Sequence, residues 1–397
     1  MDDERSQVLD NLSLYIVNSI KEVDETSWDY CARTGTSDAN PFVRHSFLLA
    51  MEDSGSVQTE TGWLPQHVII KSPSDEIFGC APLYLKSHSY GEYVFDWGWA
   101  NAYERAGGRY YPKLQCAIPF TPVTSSRLMV RPDLTGEHAT EVRHSLVSGM
   151  IELAKHHDVS SLHVTFPNKD ECELMTKAGM LARFGQQYHW ENKGYETFDD
   201  FLLDLSSRKR KNIRKERETA VASGVTITSI TGDDIQSKHW DSFYKFYVDT
   251  SVRKWGQAYL TRDFFDLLSN LMSEQIVLIM GEENGNLVCG ALNFLGGNAL
   301  YGRNWGTIVD HPMLHFEVCY YRAIDFAIKR KLDRVEAGAQ GPHKLQRGYL
   351  PQKTYSSHWI ADEGFRTAVA RFVAHEREAI DHDVEVLQGL GPFKRTD

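Results

Sequence analysis

The sequence predicts an α/β protein built from two similar domains, because one programme of helices and strands runs through it twice. Trp28 opens a helical pattern, and Trp240 opens another about 210 residues later. Each is followed by a short apolar strand (HVIIK from His67, QIVLIM from Gln275), an acidic turn and a second strand. The second strands match best, FGCAPLYL from Phe78 against VCGALNFL from Val288. An aromatic strand (YVFDWGW; ALYGRNWG), a long helix and a short strand (SLHVTF; RVEAGA) complete each copy. Duplicated units leave a joint between similar domains, a common place for a ligand cleft.

Taken in order, SLYIVNSI from Ser13 is a strand by its β-branched content, and two helices precede the first strand pair. The stretch from Trp97 to Glu141 is rich in aromatics, Gly and Pro and has no counterpart in the second half. It is too apolar for a linker and is expected to be an insertion, at about 98–140, near a ligand. A helix over Glu141–His157, a strand over Ser161–Phe166, another helix and a strand near Gly185–Trp190 close the first domain, 1–195. Thr197 and Asp200 form an N-cap pair for FDDFLLDL. A basic helix from Ser206 or Ser207 stops before Gly224, so that 196–224 is a connecting segment and 225–397 the second domain. Apolar residues at helical spacing over Phe365–Leu387 end the chain with a helix.

With 42% hydrophobic residues there is material for two cores, and no apolar run approaches the roughly 20 residues a membrane span needs. No signal peptide is visible, and six scattered cysteines without a CxxC pair read as reduced thiols, which predicts a cytoplasmic protein. The net charge of −11 confines any nucleic-acid contact to a local patch.

Two constellations carry chemistry. The first is Arg208–Arg217, seven cations in ten residues on a helix, where like charges four apart repel and an anionic partner such as phosphate relieves them. The competing reading is a solvated helix paired with acidic patches. The second gathers at strand ends, where α/β proteins place ligands. The strand ending Tyr301–Gly306, the helix start Leu314–Glu317 and the segment from Glu336 to Tyr349 bring together Arg303, Trp305, His315, Glu317, Glu336, Gln340, His343, Lys344, Arg347 and Tyr349. Clustered ionisable groups mark sites more often than they brace turns. No HExxH or other ligand-spaced motif argues for a metal, and no GxSxG for a nucleophile.

LSSRKRKNIRKERETAVASGVTI, FYVDTSVRKWGQAYLTRDFFDLL and LHFEVCYYRAIDFAIKRKLDRVEAGAQGPHKLQRGYLP resemble the FemAB-like branch of the GNAT acyltransferases. NPFVRHSFLLAMEDSG and TGWLPQH extend the resemblance to the bacterial and plant subgroup associated with peptidoglycan biosynthesis or recognition. The resemblance implies tandem GNAT-like domains, each a mixed twisted sheet flanked by helices. It also implies a reaction in which an aminoacyl group passes from aminoacyl-tRNA to an amine of a small molecule or peptidoglycan-precursor-like peptide. GNAT enzymes that use acetyl-CoA hold its pyrophosphate on a glycine-rich turn before the central helix. Here VDHPMLHFE and RPDLTGEHATE stand in that place, which disfavours CoA and leaves no cofactor beyond the tRNA co-substrate.

On this reading Glu336 or Glu317 accepts the amine proton, and Lys344 or a backbone N–H of Gly338–Gly341 holds the oxyanion, with His343 in the same catalytic set. Arg303 and Arg347 hold an acceptor carboxylate or phosphate, beside Trp305, His315, Gln340 and Tyr349, while Lys209, Arg210, Arg214 and Lys215 meet donor phosphates. The alternatives are an acyl-CoA-dependent N-acetyltransferase and a non-catalytic protein that recognises a cell-wall peptide or an RNA. No DNA partner is expected.

Overall fold

The chain divides into two units, Met1–Gly185 with Lys353–Asp381 and Gln186–Gln352 with His382–Asp397. The computed structural model describes residues 11–33, 39–338 and 341–394, with only the backbone of 254 and 255. The first unit holds β1 (Ser13–Val17), α1 (Glu25–Cys31), α2 (His45–Asp53), β2 (Trp63–Pro65), β3 (His67–Lys71), β4 (Ile77–Ala81) and β5 (Leu83–Lys86). It continues with α3 (Trp97–Arg105), β6 (Lys113–Cys116), β7 (Met129–Val130), α4 (Gly136–His156), β8 (Ser161–Thr165) and α5 (Lys169–Lys177). The boundary between units falls within β9 (Leu181–Glu191).

The second unit continues with α6 (Phe198–Asp204), α7 (Ser207–Val221), β10 (Thr226–Thr231), α8 (Ser237–Trp255), α9 (Arg262–Met272), β11 (Ile276–Glu283), β12 (Asn286–Gly296) and β13 (Ala299–Thr307). One further helix changes pitch along its length, from α10 (Leu314–Phe316) through a π-helical turn (Glu317–Tyr321) to α11 (Arg322–Lys329). It is followed by β14 (Arg334–Glu336), a 3₁₀ turn (Pro342–Arg347), β15 (Leu350–Ile360) and α12 (Glu363–Gly389). The predicted cap of α6 is present, Thr197 accepting from the Asp200 N–H while the Asp200 carboxylate accepts from the Thr197 N–H.

The strand order in the second unit is β10-β11-β12-β13-β14-β9. The first unit repeats it with one break. β1-β3-β4 stand in one sheet with β7 at its edge, and β5-β6-β8-β15 in another with β2 at its edge. Pro82 makes the break: it lacks the N–H that a continuous central strand needs, and only its carbonyl is used, accepting from Ala117. β12, with no proline, pairs with β11 on one side and β13 on the other. The sixth strand is exchanged along the chain. Residues 356–360 of β15 complete the first unit against β8, and residues 189–191 of β9 complete the second against β14.

Three sequence expectations change. YVFDWGW is not a strand: Trp97 starts α3. The supposed insertion at about 98–140 supplies β6, which pairs with β5 and β8 as β13 pairs with β12 and β14, so it is part of the repeat. The continuous division at 195 and 225 gives way to one that passes through β9 and β15, because a strand's partners, not its neighbours in sequence, decide where it belongs.

Among the described residues β6 pairs parallel with β8 in the first unit, and β13 with β14 in the second. In the second unit the pair ends at Tyr301 opposite Glu336, while β13 runs on to Thr307, so the strands part there. A bulge accompanies the parting: Leu292 faces Asn304 and Asn293 faces Gly302, leaving Arg303 as the extra residue. Gly306 lies on the α8 face, where an added Cβ would fall 2.2 Å from the Phe246 carbonyl carbon. The other face packs Leu300, Val335 and Trp190 against Val318, Ile324 and Ala327. In the first unit the corresponding strand end is filled by Arg127, which is fully buried and donates to the Thr165, Val123 and Ser125 carbonyls at 2.9, 2.9 and 3.2 Å.

Candidate functional site

Where β13 and β14 part, the structure brings a group of rings together. Trp305 at the end of β13 meets His315 with centroids 5.4 Å apart, and His315 meets Tyr320 at 5.4 Å. His343 in the 3₁₀ turn packs on Phe316 at 5.5 Å, and its Nε2 lies 3.0 Å from the Tyr320 hydroxyl. Burial, helped by the charges of Arg347 and Lys344, holds the His343 pKa below its ordinary value, so the ring is neutral at pH 7. Trp305, His315 and His343, which the sequence gathers at one place, lie together here.

Other expected members do different work. Glu317, assigned as a proton acceptor, is fully buried and saturated by arginines. Arg217 grips both its oxygens at 3.0 and 3.1 Å, and Arg322 adds a bond at 2.8 Å. A carboxylate held this way is a brace, and the π-helical turn that carries it packs against α7. Arg347 is likewise occupied. It pairs with Glu216 of α7 at 2.9 Å, donates to the His343 carbonyl at 2.8 Å and lies 3.5 Å over the Phe316 ring. Tyr349 is buried in the core with its hydroxyl on the Tyr320 carbonyl, which removes it from the substrate-binding set. Lys344 is buried, its ammonium donating to the carbonyls of Ala337 and Gly338 at 2.6 and 2.9 Å, and burial pulls its pKa down to about 8. It secures the backbone just past β14. Gln340 lies outside the described residues.

Glu336 ends β14 in register with Tyr301 and His189, one residue out of phase with the core-facing Leu300, Val335 and Trp190. Successive side chains of a strand point to opposite faces, so Glu336 belongs to the face away from the ring cluster. One carboxylate oxygen accepts from Arg334 at 2.9 Å, and the other, Oε2, is buried without a hydrogen-bond partner among the described residues. The predicted single pocket therefore resolves into two neighbouring groups: the rings with His343 on one face and Glu336 with His189 and Arg334 on the other.

The basic helix α7 sorts its charges by face. Ile213 and Ala220 are buried, and Glu216 and Arg217 turn inward to Arg347, Tyr321, Glu317 and Asp325. Arg208, Lys211, Arg214 and Lys215 are exposed. Of the four cations expected to meet phosphate, Arg214 pairs with Asp199 at 3.1 Å, Lys209 bonds Gln346 of the 3₁₀ turn and Arg210 reaches the Ser207 hydroxyl at 3.4 Å. Glu216, Arg217, Tyr320 and His189 were missed. For the first two the signal was present: they stand three and four residues after Ile213, on the buried stripe of the helix.

A second missed cluster lies in the first unit. The fully buried Lys113 ammonium pairs with Glu92 at 2.7 Å and with Asp96, and Asp96 also accepts from the Tyr110 hydroxyl at 2.7 Å. Tyr110 leads on to His163 Nε2 at 3.2 Å, and His163 Nδ1 meets His358 Nδ1 at 2.6 Å. Burial, with Lys113 adding to it, depresses His163 to about 3, and burial with His163 pushes His358 well down. Their folded pKa values lie below the unfolded one, so the stability they contribute is whole above about pH 6.5 and is lost as pH falls toward the folded values. Burial lifts Glu92 to about 7, which works the opposite way over a narrower span. Imidazole NMR between pH 8 and 5 is expected to show both rings neutral throughout; either one titrating near 6.5 would overturn the assignment.

A six-stranded mixed sheet whose central parallel strands part, with a helix leading away from the parting, is a GNAT-like fold, and this chain carries it in tandem. Across residues 19–395 the sequence matches the FemAB-like family, described as peptidoglycan biosynthesis/recognition, and the chain belongs to that family. FemX is similar in structure, with a TM-score of 0.54 at 11% identity over 88% of this chain and 98% of FemX. The C-terminal domain of a putative lysylphosphatidylglycerol synthetase from Agrobacterium fabrum also gives 0.54, at 10% identity over 89% of this chain and 97% of that one. A tandem GNAT protein from the clavulanic acid biosynthesis pathway gives 0.46, at 12% identity over 88% and 98%. No curated protein sequence matches the chain. Among the described residues, no helix is long and apolar enough to cross a membrane.

Proposed function

We propose that this protein is an N-acyltransferase that moves an aminoacyl group from aminoacyl-tRNA to an amine of a peptidoglycan-precursor-like peptide or small molecule. The observation that carries the reading is the division of α7. Its inward charges tie it to the turn bearing His343 and Arg347, and its outward face keeps Arg208, Lys211, Arg214 and Lys215 exposed. A phosphate backbone docked on that face would sit on the helix whose Glu216 holds Arg347, and Arg347 in turn holds the His343 carbonyl. The helix start after β13 supports RNA over CoA. Met313 caps it without a side-chain bond, no glycine stands between Thr307 and Met313, and His311 beside it pairs with Glu283 at 3.0 Å. A pyrophosphate cradle needs a run of free backbone N–H groups, and a carboxylate at that place opposes one. The tRNA donor puts the reaction in the cytoplasm, with no cofactor besides the co-substrate.

In the reaction the acceptor ammonium gives a proton to a base, and its nitrogen attacks the ester carbonyl carbon. The tetrahedral intermediate then breaks the bond to the ribose oxygen. A second amine proton passes to that oxygen, leaving an amide and a free hydroxyl. Glu336 is the base that takes the first proton on its face of the sheet, and the second passes from the amine nitrogen to the adjacent ribose oxygen. Reversing Arg208, Lys211, Arg214 and Lys215 together to glutamate is expected to weaken tRNA binding and to flatten its salt dependence by about one unit of slope per lost phosphate contact. Filter binding at several salt concentrations reads this. An unchanged slope, or micromolar binding of acetyl-CoA in calorimetry, would remove the tRNA donor.

A further inference from the structure

Glu336 Oε2 and His189 Nε2 are both buried, both lack a hydrogen-bond partner among the described residues, and lie 3.7 Å from each other. That separation is too long for a direct hydrogen bond. It suits two atoms that share a third group between them. The other carboxylate oxygen is satisfied by Arg334, itself bonded to the Tyr301 hydroxyl at 3.2 Å, so the side chain is fixed with one oxygen unspent. Antiparallel pairing sets His189 directly opposite Glu336, and parallel pairing sets Tyr301 on the other side, so the backbone, not a flexible loop, aims both atoms.

The missing partner can be read from the chemistry. An ionised carboxylate only accepts, and a neutral imidazole with its proton on Nδ1 accepts at Nε2. A group satisfying both must carry at least two N–H or O–H donors, and beside a buried carboxylate a cation is favoured over a neutral hydroxyl. Beyond Glu336 the strands part: among the described residues a Cβ on Gly338 would meet only the Gly302 carbonyl, at 3.9 Å, while one on Gly302 would stand 3.4 Å from both the Asn293 side-chain oxygen and the Glu336 carbonyl.

We propose that Glu336 and His189 form the seat for a primary ammonium group, the reacting end of the acceptor, with His189 a further substrate-contacting residue. The inference rests on the transferase reading for what the seat is used for, but not for whether it binds. Burial keeps His189 below its ordinary pKa although Glu336 and Glu191 pull it upward, while Arg334 and Lys344 push it down, so the ring is neutral at neutral pH and accepts at Nε2 in the tautomer protonated on Nδ1.

The test is histidine ¹⁵N NMR of the full chain, with His189 identified by its loss in His189→Gln. Methylammonium is expected to shift the His189 Nε2 signal saturably, tetramethylammonium, which has no N–H, to leave it unmoved, and Glu336→Gln to weaken the methylammonium response at least tenfold. No response to methylammonium overturns the seat. So does a His189 that titrates above 6.5 and falls in Glu336→Gln, because the two side chains then close on each other as an ion pair. A seat that binds methylammonium in a protein that transfers nothing from aminoacyl-tRNA leaves the inference standing and removes the proposed function.

Discussion

Lys113→Met is expected to cost the first unit about 3–5 kcal/mol, the range for removing one partner from a buried ion pair. The lysine is fully buried between Glu92 and Asp96, and each carboxylate already has an oxygen without a hydrogen bond among the described residues. Burial alone would raise Asp96, yet Lys113 holds it well below the carboxylate range, so removal of the ammonium strands a charge that no other group neutralises. Lys86 does not substitute. Of the two carboxylates it reaches only Glu92, at 4.0 Å, it lies 3.5 Å over the Trp63 ring, and burial lowers its pKa to about 6. Urea unfolding should show a lower midpoint at unchanged slope. Adding Asp96→Asn to the variant should recover part of the loss, since the stranded charge goes with it. A loss under about 1 kcal/mol would mean that the carboxylates neutralise themselves by binding protons and that the lysine organises nothing.

Glu336→Gln is expected to slow aminoacyl transfer by roughly 10²–10⁴-fold, the usual worth of a positioned general base. The amide keeps an oxygen for Arg334 and nearly the same volume, so the melting temperature should move little. Single-turnover transfer and thermal melting, measured on the same preparation, separate chemistry from folding. A variant that melts many degrees lower marks Glu336 as a brace, as Glu317 is. A folded and fully active one moves the base to His343 or to the substrate.

The elements were legible because their signals are local. The Thr197 cap, the apolar run of β11 and the helical spacing of α12 need no knowledge of partners. The exchange of β9 and β15 was not legible, since pairing across more than 140 residues leaves no mark in either segment. At the site, charge and ring residues gathered at the strand ends as expected. Yet sequence cannot say which carboxylate meets an arginine first. Glu317 and Glu336 look alike in the sequence, and Arg217, a hundred residues away, joins Arg322 in closing off Glu317 alone. Lys113 was invisible for a related reason: a lone lysine beside Leu114 reads as the solvated end of a strand until Glu92 and Asp96 are seen beneath it.

The strand exchange also bears on how the polypeptide is made. During translation the first unit has β1 to β8 in hand once residue 165 has been synthesised, but β8 gains its neighbour only with residues 356–360. For nearly two hundred further residues the nascent chain carries an open sheet edge, the kind of surface that chaperones shield and aggregation exploits. A premature stop anywhere between the two strands removes a piece of the half already translated. Neither half can be obtained by a single cut, and an expression trial of residues 1–195 alone should yield insoluble protein.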